Sequence, residues 1–371
     1  MKILALEPYY GGSHRAFIDG WINKSRHEWT LLSLPPYKWK WRMRHSAVTF
    51  ADQVGALVIE GRQWDVLFCS DMLNLAEFVG LVPVNIRRLP RVVYFHENQL
   101  TYPVRFESER DYQFAVTNMT TALAADSVWF NSTFHMNSFL EALGKFLRKM
   151  PDYNSPEAVL KIRNKSHVYP PGIDFFDERA PRKPGPLRIL WAARAEHDKN
   201  PEDFFEALKI LKDKGKEFRL NVIGERFRDE PEIFARAKDY FAEHIDRWGY
   251  LQSREEYIKA LTEADVIVST AHHEFFGISV VEAITAGAYP VLPNRLAYPE
   301  VLGLGKTDCV DQFFYNGSVK ALADKLLVLA RDAKDNNIWH GDNRAVKLIQ
   351  RFEWNNLAPV LDKALTSCCE K

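Results

Sequence analysis

Cysteine is scarce. The 371-residue chain has four, at Cys69, Cys309, Cys368 and Cys369, and no two are spaced as Cys-x-x-Cys. A zinc knuckle or a thioredoxin-like dithiol needs that spacing, so neither is expected. Four cysteines are also too few for a disulfide scaffold, which points to a reducing compartment. Net charge is missing as well: 49 basic residues balance 49 acidic ones. That excludes a surface coated in positive charge for indiscriminate nucleic-acid binding, but not a local basic patch. No apolar run approaches the ~18 residues that a membrane span needs. The opening "MKILALEPYYGG" meets Glu7 too early for a signal peptide. A soluble, cytoplasmic protein is the expectation. The first strand is not followed by Gly-x-Gly-x-x-Gly, so a dinucleotide fingerprint is not expected. No Asp-x-Asp occurs, so a metal site built on that pair is not expected.

What the chain has is aromatic residues, with 10 Trp, 14 Tyr and 24 Phe, and short apolar runs ending in polar or glycine-rich loops. The first half gives "KILALE" (2–7), "DVLFCS" (65–70), "RVVYFHE" (91–97) and "DSVWFN" (126–131). The second gives "RILWAA" (188–193), "RLNVIG" (219–224), "DVIVST" (265–270) and "AYPVLP" (288–293). Most are continuous rather than alternating, as in strands buried on both faces of a parallel sheet. Helical-period segments separate them. In "PEDFFEALKILKDKG", Phe204, Leu208 and Leu211 form one stripe that ends at Gly215. Strand and helix in alternation predict an α/β, doubly wound fold. The pattern occurs twice, around a stretch with five prolines from Pro170 to Pro186. We therefore expect one domain over 1–170, a second over 186–350, and a final amphipathic helix over 351–371.

In open α/β sheets ligands sit beyond the carboxyl ends of the strands, and the polar motifs lie there. After the first strand, Gly11 and Gly12 allow a tight turn, and Ser13 can cap a helix whose N-terminus attracts an anion; a simple strand-to-helix turn remains the alternative. After "VVYF", His96, Glu97, Asn98 and Gln99 suit a sugar or another polyol, unless the loop merely faces solvent. In "WAARAEHDKNPEDFF", Arg194 and Lys199 flank a loop that opens a helix near Asn200-Pro201, where a diphosphate could rest. Arg194 could instead pair with Glu196 on the surface. In "AHHEFFGISVVEAIT", Ile278, Val281, Ile284 and Ala288 have helical spacing, and Gly287 can end the helix. Glu274 then falls in the loop and Glu282 on the second turn. A ligand along the helix start could meet both, with its phosphate near the amides of Gly277 to Ser279. Otherwise one is a solvated helix glutamate and the other a loop acid.

In combination these residues resemble the GT-B glycosyltransferases, in particular the retaining family 4 group. The landmarks are the Gly11-Gly12 loop, His96, "ADSVWFNS" (125–132), "YPPGID" (169–174), Arg194 with Lys199, Gly224 in "NVIGE", residues 249–287 and the final "FEW" with its helix. Their order is the family's, over nearly the whole chain. Within it, "EPYYGGSHRAFIDGW" and "VVYFHENQLTYP" resemble the tRNA-queuosine mannosyltransferases. "RLAYPE" departs from the Gly-Gly-x-x-Glu loop of the wider group: Glu300 remains but the glycine pair does not.

The resemblance implies two Rossmann-like domains facing across a cleft, with the last helix crossing back onto the first domain. It implies GDP-mannose as the nucleotide-sugar donor, no bound cofactor, and queuosine in a tRNA anticodon as acceptor. Glu282 would take the ribose hydroxyls and Glu274 those of the transferred sugar. The amides of Phe276, Gly277 and Ile278 would lie beneath the diphosphate and sugar. Gly11, Gly12, Ser13 and Gly224 would complete the donor site. Arg194 and Lys199 would neutralise the leaving diphosphate in place of a metal. His96 would lie near the anomeric carbon or the sugar's primary hydroxyl. A lipid, polysaccharide or small-molecule acceptor, or an RNA-binding protein on a relic fold, are the alternatives; the intact Arg194, Lys199, Glu274 and Glu282 argue against the relic.

"PPYKWKWRMRHSA" (35–47) alternates Lys38, Lys40, Arg42 and Arg44 with Trp39, Trp41 and Met43. If extended, it has one cationic and one aromatic face, suited to phosphates and unpaired bases. With Asn98 and Gln99 it is the expected acceptor surface. A half-buried strand or loop with core tryptophans is the competing reading.

Overall fold

The computed structural model describes residues 1–104, 108, 110–176, 182, 184–226, 230–306, 310–339 and 344–370. Cys309 and most of the proline-rich stretch from 177 to 183 lie outside them. The chain forms two compact units: Met1–Gly172 with Trp354–Lys371, and Ile173–Glu353.

In the first unit, β1 (Lys2–Glu7), β2 (Glu28–Ser33), β3 (Val66–Ser70), β4 (Arg91–Phe95), β5 (Ser127–Phe130) and β6 (Ser166–Val168) form a sheet of order β2-β1-β3-β4-β5-β6. Every neighbouring pair is parallel. Alternate residues serve two separate cores. Leu4, Leu6, Leu67, Cys69, Val93 and Phe95 pack with the helical residues Phe50, Phe78 and Phe139. Ile3, Ala5, Val66, Phe68, Val92 and Tyr94 pack with Phe17, Trp21 and Trp354. Since both faces are covered by apolar groups, the strands read as unbroken apolar runs.

The second unit repeats the scheme with β7 (Leu187–Ala192), β8 (Phe218–Ile223), β9 (Ile245–Gly249), β10 (Val266–Val268), β11 (Tyr289–Pro293) and β12 (Phe314–Tyr315), in the order β12-β11-β10-β7-β8-β9. All pairs are again parallel. Numbered within the unit this is 3-2-1-4-5-6, the doubly wound dinucleotide-type order whose switch point lies between β7 and β10. The helix Pro201–Asp213 buries Phe204, Leu208 and Leu211 as their spacing predicts, and Gly215 follows at φ +64°.

The helix Trp354–Cys369 returns to the first unit. Trp354, Leu357, Ala358, Leu361 and Leu365 form its buried stripe. The Trp354 indole fits only because two positions lack a side chain. A Cβ at Gly20 would lie 2.3 Å from the ring and one at Gly172 2.2 Å from it. Asp362, also buried, accepts from Trp21 Nε1 at 2.9 Å, Ser25 Oγ at 2.7 Å and the Arg26 amide at 2.8 Å. Among the described residues no helix is long and apolar enough to cross a membrane.

Candidate functional site

In the second unit the site grows from the ends of β7 and β10. Beyond β7 the chain makes a short turn, His197–Lys199, and enters the helix at Asn200, φ +51°, followed by Pro201 at its first position. Beyond β10, Thr270 Oγ1 reaches the carbonyl oxygens of Lys199 at 2.9 Å and Asn200 at 2.8 Å, stitching the two loops together. Gly277 turns the second loop into the helix Ile278–Thr285 at φ +91°, a conformation that favours glycine. Ala288, expected on this helix, instead leads into β11, because Gly287 at φ +93° has already turned the chain.

Lys199 is the hub. It is 8% exposed, and its Nζ donates to the His273 carbonyl at 2.8 Å. The same nitrogen lies 3.2 Å from Asp198 and 3.4 Å from Glu274. Burial pulls the lysine pKa down, but Glu274 and Asp198 outweigh it and hold the ammonium above its usual range. Burial pushes the Glu274 carboxyl up, and Lys199, His273 and the Phe276 amide bring it below the usual range. The two shifts agree on a charged pair. His273 is driven to about 4 by burial and then by Lys199, so it stays neutral. Lys199, Glu274, Ser269, Ser279 and Tyr298 line a pocket over the end of the sheet. The Phe276 amide points to Glu274 Oε1 at 3.5 Å. The amides of Ile278 to Val280 precede the first intrahelical bond, from Val281 to Gly277, so the helix itself gives these donors of its first turn no carbonyl partner.

Glu282 projects from the second turn and is held by two residues that sequence reasoning missed: Arg254 Nη2 at 2.9 Å and the Tyr257 hydroxyl at 2.7 Å. Both come from the helix Arg254–Glu263. Asp198 and Tyr298 were also missed, as was the Ser279 hydroxyl, which donates to the Ala192 carbonyl at 2.7 Å. Asp198, one residue before Lys199, was the one legible in principle. Arg194 sits 3.2 Å from Glu196, the ion pair weighed as the alternative for it. Gly224, at φ +149°, has a packing reason of its own: a Cβ there would lie 1.9 Å from the Ala193 carbonyl oxygen.

In the first unit Gly11 is extended and caps the helix Gly12–Lys24 with its backbone only; Ser13 falls inside the first turn and is exposed, so it does not cap. Gly11 is small for a packing reason, since a Cβ would lie 2.4 Å from the Pro36 ring. His96 sits at the end of β4. Its amide donates to Asp71 Oδ1 at 2.9 Å, and its ring stacks on His14 with centroids 3.9 Å apart. Glu7 accepts from the Tyr9 amide at 2.8 Å and Ser70 Oγ at 3.0 Å, and meets His14 Nδ1 at 3.2 Å. Burial would lower His14, yet Glu7, Asp71 and Glu97 raise it to about 9. His96 is pulled well below its usual value by burial, then by His14 and His135. Asp71 is pushed up to about 8 by burial, with His14 opposing. Glu7, His14 and His96 bring ligand-type atoms within 4.8 Å of one another. The two rings are inclined by 31°, and the Glu7 contact already engages His14 Nδ1 at 3.2 Å. We read the group as a hydrogen-bonded proton cluster.

Asn98 and Gln99 are not a polar loop facing out. Asn98 is fully buried, and its Oδ1 accepts from the Leu100 amide at 3.1 Å and the Thr101 amide at 2.9 Å. Gln99 is 7% exposed and reaches Glu97 at 3.2 Å. Residues 35–47 are not an extended strip either. Lys38, at φ +56°, starts the helix Trp39–Ile59, and at 3.6 residues per turn alternate side chains do not share a face. Arg42 is buried, donates to the Pro35 carbonyl at 3.0 Å and His45 Nε2 at 2.8 Å, and covers the Tyr37 ring. Trp39 packs on Phe114. Lys38, Lys40, Trp41 and Arg44 stay exposed, and Trp41 stacks on His45 at 4.9 Å.

A family model described as tRNA-queuosine alpha-mannosyltransferase N-terminal matches residues 2–173, and one described as glycosyl transferases group 1 matches residues 173–345. A Drosophila melanogaster tRNA-queuosine alpha-mannosyltransferase is 38% identical over 311 residues, 81% of each chain. A Mycobacterium tuberculosis GDP-mannose-dependent phosphatidylinositol dimannoside mannosyltransferase is 26% identical over 155 residues, 38% of this chain and 39% of that protein. Among solved structures, Anabaena HepE with UDP and glucose superposes with TM-score 0.68 at 15% identity, covering 99% of this chain and 100% of that one. Sucrose-phosphate synthase from Thermosynechococcus elongatus does so with TM-score 0.69 at 12%, covering 99% of each. At such identities these two speak for the fold, which is GT-B.

Proposed function

The chain belongs to the tRNA-queuosine alpha-mannosyltransferase family, and from that premise we propose that it moves mannose from GDP-mannose to the cyclopentenediol of queuosine in tRNA, with retained configuration. The bond from the sugar's anomeric carbon to the diphosphate breaks. A new bond forms to an acceptor hydroxyl, whose proton goes to the leaving diphosphate. The observation that carries the donor half is the Lys199–Glu274 pair beside a helix start whose first amides have no carbonyl partner within the helix. A buried ammonium aimed at such a place opposes charge growing on a leaving diphosphate. Arg194 adds the second cation, and no metal is needed. Glu274 holds the hydroxyls of the moving sugar. Glu282, oriented by Arg254 and Tyr257, holds the ribose. The Mycobacterium relative is named for GDP-mannose, which supports that donor. The setting we propose is the cytoplasm. The test is incubation with GDP-mannose and tRNA bearing or lacking queuosine, with and without chelator. Hexose addition to the queuosine nucleoside alone, unaffected by chelator, is expected. Transfer only to lipid or saccharide acceptors would overturn the reading, and loss with chelator would overturn its metal independence.

The two glutamates separate by readout. Glu282→Ala should weaken donor binding by about 1.5–3 kcal/mol, the worth of a hydrogen bond to a charged group. Glu274→Ala should chiefly lower turnover. Calorimetric titration of the donor alongside single-turnover rates distinguishes them, and unchanged values in both variants would remove these roles.

The tRNA surface we propose is the exposed remainder of the basic helix start: Lys38, Lys40, Trp41 and Arg44. Arg42 is omitted because it is buried and committed within the fold. Changing the three exposed cations to glutamine should weaken tRNA binding and reduce its log–log salt slope by about 2, at roughly 0.7–0.9 per lost phosphate contact. Donor affinity should not change. An unaltered salt slope would leave this helix start without a tRNA role.

A further inference from the structure

The cluster beside β4 has a feature that the family reading leaves unused. His14 and His96 lie ring on ring at 3.9 Å, inclined by 31°. Two imidazolium ions so placed in a partly dry site repel strongly, so only one ring can carry the extra proton. Which one is decided by hydrogen bonding. Glu7 is 4% exposed, and its Oε1 meets His14 Nδ1 at 3.2 Å while also accepting from the Tyr9 amide and Ser70 Oγ. No comparable carboxylate bond is made by the His96 ring among the contacts described; Asp71 Oδ1 takes its backbone amide instead.

We propose that Glu7 and His14 are positioning residues for His96: Glu7 holds the shared proton on His14, and the stacked His14 cation keeps the His96 ring neutral, with one N–H and one lone pair to offer a sugar hydroxyl. The ring's contact with sugar rests on the glycosyltransferase reading above; the placement of the proton does not. At His14 burial is outweighed by Glu7, Asp71 and Glu97, whereas at His96 burial, His14 and His135 all favour the neutral ring. Every packed element adds groups to the balance: Glu7 from β1, Tyr9 and His14 from the turn and helix after it, Cys69 within β3 and Asp71 just after it, Tyr94 and Glu97 around the end of β4, and His135 from the helix Thr133–Arg148. Among the described residues Asp71 Oδ2 has no hydrogen-bond partner, and burial pushes that carboxyl up to about 8. A neutral His96 is a hydrogen-bonding group rather than an acid or a counter-ion for phosphate.

The test is a histidine-selective NMR titration of the full chain from pH 5 to 8, with the His96 signal assigned by its loss in His96→Gln. In the native protein the His96 ring should not titrate in that range, whereas His14 should remain protonated throughout it. In Glu7→Gln and in His14→Gln, the His96 midpoint should rise above its native position, toward but not up to the ordinary value of about 6.5, because burial and His135 still lower it. Turnover should follow: in either variant the rate should begin to fall at a higher pH on the acid side than it does in the native protein, as His96 acquires its proton. Unchanged melting temperatures exclude misfolding as the cause, and of the two variants the one that keeps its melting temperature is the one read. A native His96 that titrates near 6.5, or a His96 midpoint in the correctly folded variant no higher than the native one when the titration is carried down to pH 4, would overturn the proposal even if mannose transfer is found. Conversely, the predicted titrations with no transfer to any tRNA would uphold the proton placement and overturn only the reading it rests on.

Discussion

Lys199→Ala is expected to lower glycosyl transfer by about 10²–10³, the cost of removing one pre-organised charge-stabilising donor, and to destabilise the second unit as well. From sequence alone both Arg194 and Lys199 read as cations flanking one polar loop. The structure separates them. Arg194 is half-exposed and paired to Glu196 across 3.2 Å, and surface ion pairs contribute little. Lys199 is 8% exposed and stands between Asp198 and Glu274. Its loss leaves two carboxylates facing each other in a place poor in water. Breaking a buried pair from one side costs about 3–5 kcal/mol, so Lys199→Ala should show a lowered melting temperature that Arg194→Ala does not. Adding Glu274→Gln to Lys199→Ala should recover stability but not activity, because it removes a stranded charge without restoring the cation. Native turnover in Lys199→Ala would refute its role, and native stability would refute the buried-pair account.

Trp354→Ala should cost about 3–5 kcal/mol, the range for deleting a buried tryptophan or phenylalanine. The ring is 3% exposed and pinched between Gly20 and Gly172, so its loss leaves a slot that neither glycine can fill. Denaturant unfolding should show a lower midpoint. The helix Trp354–Cys369 should also become more open to protease, since Trp354 begins the buried stripe that docks it. Gly20→Ala tests the same contact from the other side: overpacking there should destabilise by about 1–3 kcal/mol. A native midpoint in Trp354→Ala would mean that the Asp362 hydrogen bonds and the leucines hold the helix without it.

The eight apolar runs read from sequence are the eight interior strands of the two sheets. The four strands not anticipated, β2, β6, β9 and β12, are the four edges. An interior parallel strand is buried on both faces and must be apolar throughout. An edge strand is partly solvated or short: β2 is half-buried through its middle and exposed at both ends, and β12 has two residues. Such segments leave no distinctive run. The same distinction governs the site. Lys199, Glu274 and Glu282 were legible because they follow strand ends and helix starts at recognisable spacings. Arg254 and Tyr257 were not, since they meet Glu282 from 28 and 25 residues away. Nor were Glu7 and His14 as neighbours of His96, because contacts among two strand ends and a helix start leave no trace in spacing.

By itself, then, the sequence determined the α/β class, the two-fold repetition, the interior strands and the loops that carry the cations and glutamates, because burial period and turn chemistry are local properties. Tertiary structure decided how those groups are spent. It buried Lys199 in an ion pair and left Arg194 on the surface. It turned Asn98 inward and wound residues 39–59 into a helix that hides Arg42 while leaving Lys38, Lys40, Trp41 and Arg44 outside. It set His14 against His96. The physical reason is that charge, protonation and exposure depend on neighbours brought from distant parts of the chain, and a change of a few ångströms in those neighbours moves a side chain from solvent to site.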